Sequence, residues 1–232
     1  MQIRSDMLSG KTERHLRELS VGCLLHEAAI EPFMAFKAAA TQQGFDLQVA
    51  SGFRSYKRQL AIWNAKARGQ RQVLADNGQP INLSCLDDRE KAFAILRWSA
   101  LPGCSRHHWG TDIDIWDAGA VVPDYVLQLT PSEYQRGGPF YDLRCWLDDH
   151  AEAYGFAEPF AIDRGRVAPE PWHLSYAPVA QQFEMQVDLS FIRDVLDNSE
   201  LVLRDTILVN LDEIISRFIS PGFLSKPSEK HE

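Results

Sequence analysis

At 232 residues, 45% of them hydrophobic and 24% charged, the chain has the make-up of a globular protein long enough to bury its own core. Twenty-four Lys and Arg stand against 32 Asp and Glu, a formal charge of −8, and no basic block interrupts that acidity, which argues against nucleic acid as a partner. The fourteen Gly and twelve Pro follow no period, and no apolar run approaches the ~18 residues of a membrane helix, so collagen-like and low-complexity classes fall away and membrane insertion is not expected.

The first twenty residues are charged and polar with no apolar segment of signal-peptide length. The expectation is a cytoplasmic protein, or a periplasmic one if a leader has been removed. Cys23, Cys85, Cys104 and Cys145 are widely spread and form no CxxC pair, which reads as scattered thiols rather than disulfides.

Apolar residues recur at helical spacing over 23–43, and Gly44 sits where a helix would end. Residues 45–51 alternate as a strand with Leu47, Val49 and Ser51 on one face. After Gly52 a second helix carries Tyr56, Leu60, Trp63 and Ala67 as one stripe before Gly69. Residues 69–86 read as a loop or lid, and a third helix is expected over 88–100. The second half of 104–117 alternates like a strand, and a second loop follows over 118–138. A helix then carries Phe140, Leu143, Leu147, Ala151 and Tyr154 up to Gly155. Residues 156–176 read as a hairpin turning at Asp163-Arg164-Gly165.

Residues 181–232 hold ten acids and five bases, so −5 of the total −8 lies there. Leu203, Ile207, Leu211, Ile214 and Phe218 form a helical stripe that stops before Pro221-Gly222. Two units are therefore expected: residues 1–180 carry the chemistry. Residues 181–232 form an acidic helical appendage that packs on that domain or on a second copy, as a homodimer would.

Two clusters can do chemistry: Ser105-Arg106-His107-His108-Trp109-Gly110-Thr111-Asp112-Ile113-Asp114 and Glu170-Pro171-Trp172-His173. A catalytic zinc site takes three protein ligands, leaves a position for water and needs a base beside that water. His107, Asp114 and His173 can be the ligands and Glu170 the base. Gly110 permits a sharp turn that returns the strand beneath His107, and strand alternation puts Asp112 and Asp114 on one face. Pro169 and Pro171 confine Glu170 to an extended backbone.

SxHxxGxxxD followed by ExxH, with Ser51-Gly52-Phe53-Arg54-Ser55 upstream, resembles the VanY-like zinc D-alanyl-D-alanine carboxypeptidases of the LAS group of peptidoglycan peptidases. The likeness covers residues 28–176. It implies an α+β fold with a small, mostly antiparallel sheet, helices on one side and Zn2+ at the open face. It also implies zinc ligation by His107, Asp114 and His173 and general-base catalysis by Glu170. Arg54, Gln59 and Ser105 would contact the substrate, a peptidoglycan-derived peptide cut at its terminal bond. A guanidinium such as Arg54 suits a free terminal carboxylate, because its planar fork pairs both oxygens. Two departures stand out: Asp112 replaces a small residue, and His108 offers a second imidazole beside His107.

His15, His26, His150 and His231 read as ordinary core or surface histidines. Cys104-x-x-His107 has no second half that would complete a zinc knuckle, and Ser105 lacks the GxSxG elbow of a serine hydrolase. Dipeptidases and endopeptidases of the same scaffold are alternatives, as is a non-catalytic zinc-containing binding module. Against the last, a binding module needs no base beside its metal.

Overall fold

A computed structural model describes residues 2–76 and 78–219. The chain opens with a helical turn, α1 (Ser5–Leu8), then a hairpin of β1 (Leu16–Ser20) and β2 (Cys23–His26). The periodicity from residue 23 is therefore a strand before it is a helix. Val21-Gly22 makes the tight turn, with Gly22 at φ +76°, and α2 (Glu27–Gln42) begins where His26 Nδ1 accepts the amide of Ala28. The hairpin escapes a reading by alternation because Arg17 and Glu18 face water, and only Leu16, Leu25 and His26 are buried.

β3 (Leu47–Ser51) leads into α3 (Tyr56–Ala67), which Ser55 caps through the amide of Arg58. α4 (Asp88–Leu96) starts with a reciprocal capping box between Asp87 and Glu90 and ends four residues earlier than its apolar pattern suggested. β4 (Asp112–Asp117) is followed by a connection that holds one short helix, α5 (Pro131–Tyr134). α6 (Tyr141–His150) tightens into a 3-10 turn before Gly155. β5 (Phe156–Ala157) and β6 (His173–Tyr176) pair antiparallel across the excursion between them, where Gly165 donates to Asp163 Oδ1.

The central sheet runs β3-β4-β6-β5, every neighbour antiparallel. Strand alternation divides it into two faces. Leu47, Ile113, Ile115 and Leu174 turn inward against Phe33 and Phe36 of α2 and Leu143 and Leu147 of α6, forming one apolar core. Asp112, Asp114, His173 and Ser175 occupy the opposite face, in the register Asp112↔Ser175 and Asp114↔His173. The fold is α+β, with helices packed on one side of a small antiparallel sheet. A bulge in β3 shifts the register from Val49↔Ile115 to Ser51↔Asp114. Ser51 is thereby re-aimed from the face of Leu47 and Val49 to the polar side, which strict alternation does not foresee.

A second core lies around α3 and α4, and the C-terminal third builds most of its cover. α7 (Ala177–Glu184), α8 (Leu189–Asp197), α9 (Arg204–Val209) and α10 (Leu211–Ile214) supply Phe183, Ile192, Leu196, Ile207 and Ile214 to the cluster that includes Trp63, Ile95 and Leu96. Trp63 Nε1 donates to Val202 O at 2.9 Å, and Asn64 exchanges hydrogen bonds with Glu200 O and the Val202 amide. The expected apolar stripe is buried as a stripe, but the helix is broken. Leu203 takes a left-handed backbone at φ 67°, Asn210 separates α9 from α10, and Ile215–Ile219 winds as a π-helical turn. Pro221-Gly222 and His231 lie outside the described residues. Among the described residues no helix is long and apolar enough to cross a membrane.

Candidate metal centre

The polar face of the sheet brings His107, Asp114 and His173 together. One donor atom from each lies within 4.8 Å of the others, and all three residues are buried. Asp114 and His173 meet because they are direct cross-strand partners. His107 arrives on a 3-10 turn (Arg106–Trp109) that Gly110 ends at φ +72°. A Cβ on Gly110 would lie 2.4 Å from Leu16 Cδ2 and 2.8 Å from the His26 amide nitrogen, so the close return expected of this glycine tolerates no side chain.

Each imidazole is oriented from behind. His107 Nδ1–H donates to Gly52 O at 2.9 Å, which leaves Nε2 facing Asp114 Oδ2 at 3.3 Å. His173 Nε2–H donates to Asp112 Oδ1 at 3.0 Å, which leaves Nδ1 facing Asp114 Oδ1 at 3.1 Å and Glu170 Oε2 at 3.5 Å. Asp112 is thus placed behind His173, not among the donors. It also accepts from Arg106 Nε at 2.8 Å, Thr111 Oγ1 at 2.6 Å and Ser175 Oγ at 3.1 Å. A carboxylate holding the far nitrogen of a ligating histidine fixes its tautomer and raises its basicity.

His108 leaves the competition on similar grounds. Its Nδ1–H donates to Arg54 O at 2.6 Å and its Nε2 accepts the Gly103 amide at 3.0 Å, so both ring nitrogens are used. Burial pushes its pKa down to about 3 and keeps it neutral. Cys104 lines the cleft as a free thiol that burial pushes up to about 12.

The electrostatics suit a cation. Burial would raise the Asp114 carboxyl, but His107 and His173 hold it far below the usual carboxylate range. Burial would lower His173, yet its hydrogen bonds to Asp112 and Asp114 raise it to about 10, so a positive charge is favoured between these carboxylates. Glu170 sits at the edge of the donor set. Its amide donates to Phe160 O, while Arg144 Nη1 holds the next carbonyl, that of Pro171, at 3.1 Å. Burial pushes the Glu170 carboxyl up to about 7, against the pull of His173 and Arg54.

Arg54 Nη2 reaches to 3.8 Å from Asp114 Oδ2 and donates to Ser51 Oγ at 3.3 Å, while Nη1 donates to Gln59 Oε1 at 3.1 Å. Gln59 is fully buried, its amide nitrogen donating to Ala100 O at 2.7 Å, so it bears on the site by holding Arg54. Ser105 lines the cleft directly. The cleft measures about 550 Å³ and also takes in Lys66, Arg71, Arg106 and, from the C-terminal helices, Phe218. Lys66 escaped the sequence reading although it lies seven residues, two helical turns, beyond Gln59 on α3. Ser175 escaped because its partner is set by strand register, and Arg106, whose direction the sequence leaves open, turns into the cleft.

A sequence profile of the family described as VanY, D-alanyl-D-alanine carboxypeptidase, matches residues 22–179, a span holding His107, Asp114, His173, Glu170 and Arg54. An uncharacterized protein of Haemophilus influenzae is 44% identical over 105 residues, 44% of this chain and 72% of its own. A D-alanyl-D-alanine carboxypeptidase of Enterococcus faecalis is 26% identical over 181 residues, which span 76% of this chain and 57% of that protein. The fold is similar to that of a vancomycin resistance D,D-pentapeptidase VanY solved in complex with Zn(II). The TM-score is 0.51 at 21% identity, covering 84% of this chain and 92% of the other. The chain belongs to the VanY family of D-alanyl-D-alanine carboxypeptidases.

Proposed function

We propose that this protein is a zinc-dependent carboxypeptidase that removes the terminal D-amino acid from peptidoglycan stem peptides. The observation carrying the reading is a free-edged carboxylate, Glu170, beside a convergent His/Asp/His donor set at the floor of a cleft. The donors fit zinc. Two imidazoles and one carboxylate are its usual catalytic ligands, and both histidines have their far nitrogen tied to an acceptor.

Zinc held by His107, Asp114 and His173 would acidify water and polarise the scissile carbonyl. Glu170 takes the proton from the attacking water and returns it to the departing amine, a task suited to a carboxyl whose buried setting lifts its pKa toward neutral. Arg54, braced by Ser51 and Gln59, offers a planar pair of donors to the free terminal carboxylate. Its bracing lowers the entropy lost when the substrate is fixed.

Incubating zinc-loaded protein with a panel of stem peptides, and weighing the products by mass spectrometry, should show release of one terminal D-alanine. Glu170→Gln should keep one zinc per chain and lose roughly 10³-fold or more in kcat. Undiminished turnover in that variant would remove Glu170 from the base role, and an intact peptide panel would overturn the reading.

A further inference from the structure

The half-buried arginines around this site come with carboxylates, and Lys66, buried more deeply than they are, does not. Arg106 lies 2.8 Å from Asp112, Arg144 is 2.6 Å from Glu158, and Arg54 is 3.8 Å from Asp114. Lys66 is only 8% exposed, yet among the described residues no carboxylate lies within 4 Å of its ammonium. Its one hydrogen bond is to Ser99 Oγ, at 2.6 Å. An ammonium has three N–H donors, so two remain for something else. An unpaired charge held out of water is costly, and a protein seldom keeps one unless a ligand completes it.

Its surroundings say what that ligand is. Lys66 and Ser99 both line the cleft, with Arg71 exposed on the loop at its edge. Arg71 and Arg54 are close enough to repel the Lys66 charge, and Glu170 is close enough to attract it. Burial and the two arginines push its pKa down to about 8, against the pull of Glu170, so it is still charged at neutral pH. Arg54, Lys66 and Arg71 thus line the same cleft, and the charges that act on Lys66 are mostly positive in a protein of net charge −8, a setting that an anion beside Lys66 would relieve.

We propose that Lys66, seated on Ser99 with Arg71 at the cleft edge, forms a subsite for a second carboxylate on the peptide, that of an acidic side chain upstream of the scissile bond. This rests on the carboxypeptidase reading. Arg54, beside the metal donors, takes the terminal carboxylate, and the substrate of a carboxypeptidase continues only upstream of its last residue. A cleft of about 550 Å³ holds several residues, enough for a side chain to reach Lys66.

The test uses two peptides ending in D-alanyl-D-alanine that differ only in a glutamate or a glutamine immediately before that dipeptide. For the zinc-loaded full-length protein, kcat/KM should favour the acidic peptide by roughly tenfold or more, through KM. Lys66→Met, which fills the same space without charge, should bring the ratio near one, and Lys66→Arg should preserve it. If Lys66→Met does not fold, Arg71→Ser should still reduce the ratio.

Equal rates on the two peptides in the parent protein, or a preference that survives Lys66→Met, would overturn the subsite. So would a Lys66→Met variant that loses its distinction between terminal acid and terminal amide instead. Calorimetric binding of both peptides to Glu170→Gln separates the two proposals. Tighter binding of the acid supports the subsite even if no peptide is cleaved, whereas equal affinities overturn it while hydrolysis can stand.

Discussion

The two faces of the central sheet use the same backbone for opposite ends. On one, Ile113, Ile115 and Leu174 are almost wholly removed from water and pack against α2 and α6. On the other, the intervening residues Asp112, Asp114 and His173 are just as buried but are charged and hydrogen-bonded to one another. The apolar face draws stability from area removed from water, and a lost methyl group leaves a void. The polar face holds mutually satisfied charges whose arrangement prepares for a cation, and it contributes little to net stability because desolvation offsets attraction. Strand alternation keeps the two jobs separable within six residues of β4.

That separation can be broken from either side. The largest effect is expected from Asp114→Ala, which removes the carboxylate both imidazoles face. Zinc content should fall to background by elemental analysis and hydrolysis should be lost, and the zinc-free protein should also melt lower, because His173 loses a buried charge partner. Ile115→Ala, one residue along, should cost stability without costing the metal. It should cost about 2–4 kcal/mol in denaturant unfolding and leave one zinc per folded chain. If Ile115→Ala lost its metal at native-like stability, the two faces would not be independent.

Asp112→Asn probes the layer behind the metal donors. It keeps the shape but weakens the grip on His173 Nε2, and zinc affinity in a competition assay should drop about 10- to 100-fold. The smallest effect concerns Lys66 and depends on pH. Below about pH 8 the ammonium is charged in both folded and unfolded chains, and its burial costs stability. Between that value and the ordinary lysine value the unfolded chain binds a proton that the folded one does not, so stability rises with pH. Lys66→Met should therefore be more stable than the parent by about 1–3 kcal/mol at pH 7 and lose that advantage toward pH 10. A pH-independent difference would show that the ammonium is not desolvated.

The convergence of His107, Asp114 and His173 was legible because its signals are local. Gly110 and the Asp112/Asp114 alternation fold His107 over β4, and two prolines pin Glu170. The α3 and α4 helices were legible from their apolar residues, while the caps that fix where they begin, Ser55 and Asp87, went unread. What escaped depends on contacts between distant segments. No spacing tells that Asp112 stands behind His173, because strand register decides it. No composition tells that His108 spends both nitrogens on Arg54 O and the Gly103 amide. The bulge that turns Ser51 toward Arg54 is a one-residue slip that alternation cannot register. The β1–β2 hairpin was hidden by its charged outer face, and the break at Asn210 by an apolar stripe that continues across it.

The tethering of Trp63 and Asn64 to backbone groups at 200–202 has a practical consequence for anyone trimming the chain. The sequence signatures of the site all end by Tyr176, which invites a shortened version stopping there. Such a fragment would strip the cover from Trp63, Ile95 and Leu96, take Phe218 from the rim of the cleft, and present a sticky flank to other molecules. A shortened version should accordingly keep at least the residues through Ile219 to stay folded and unaggregated.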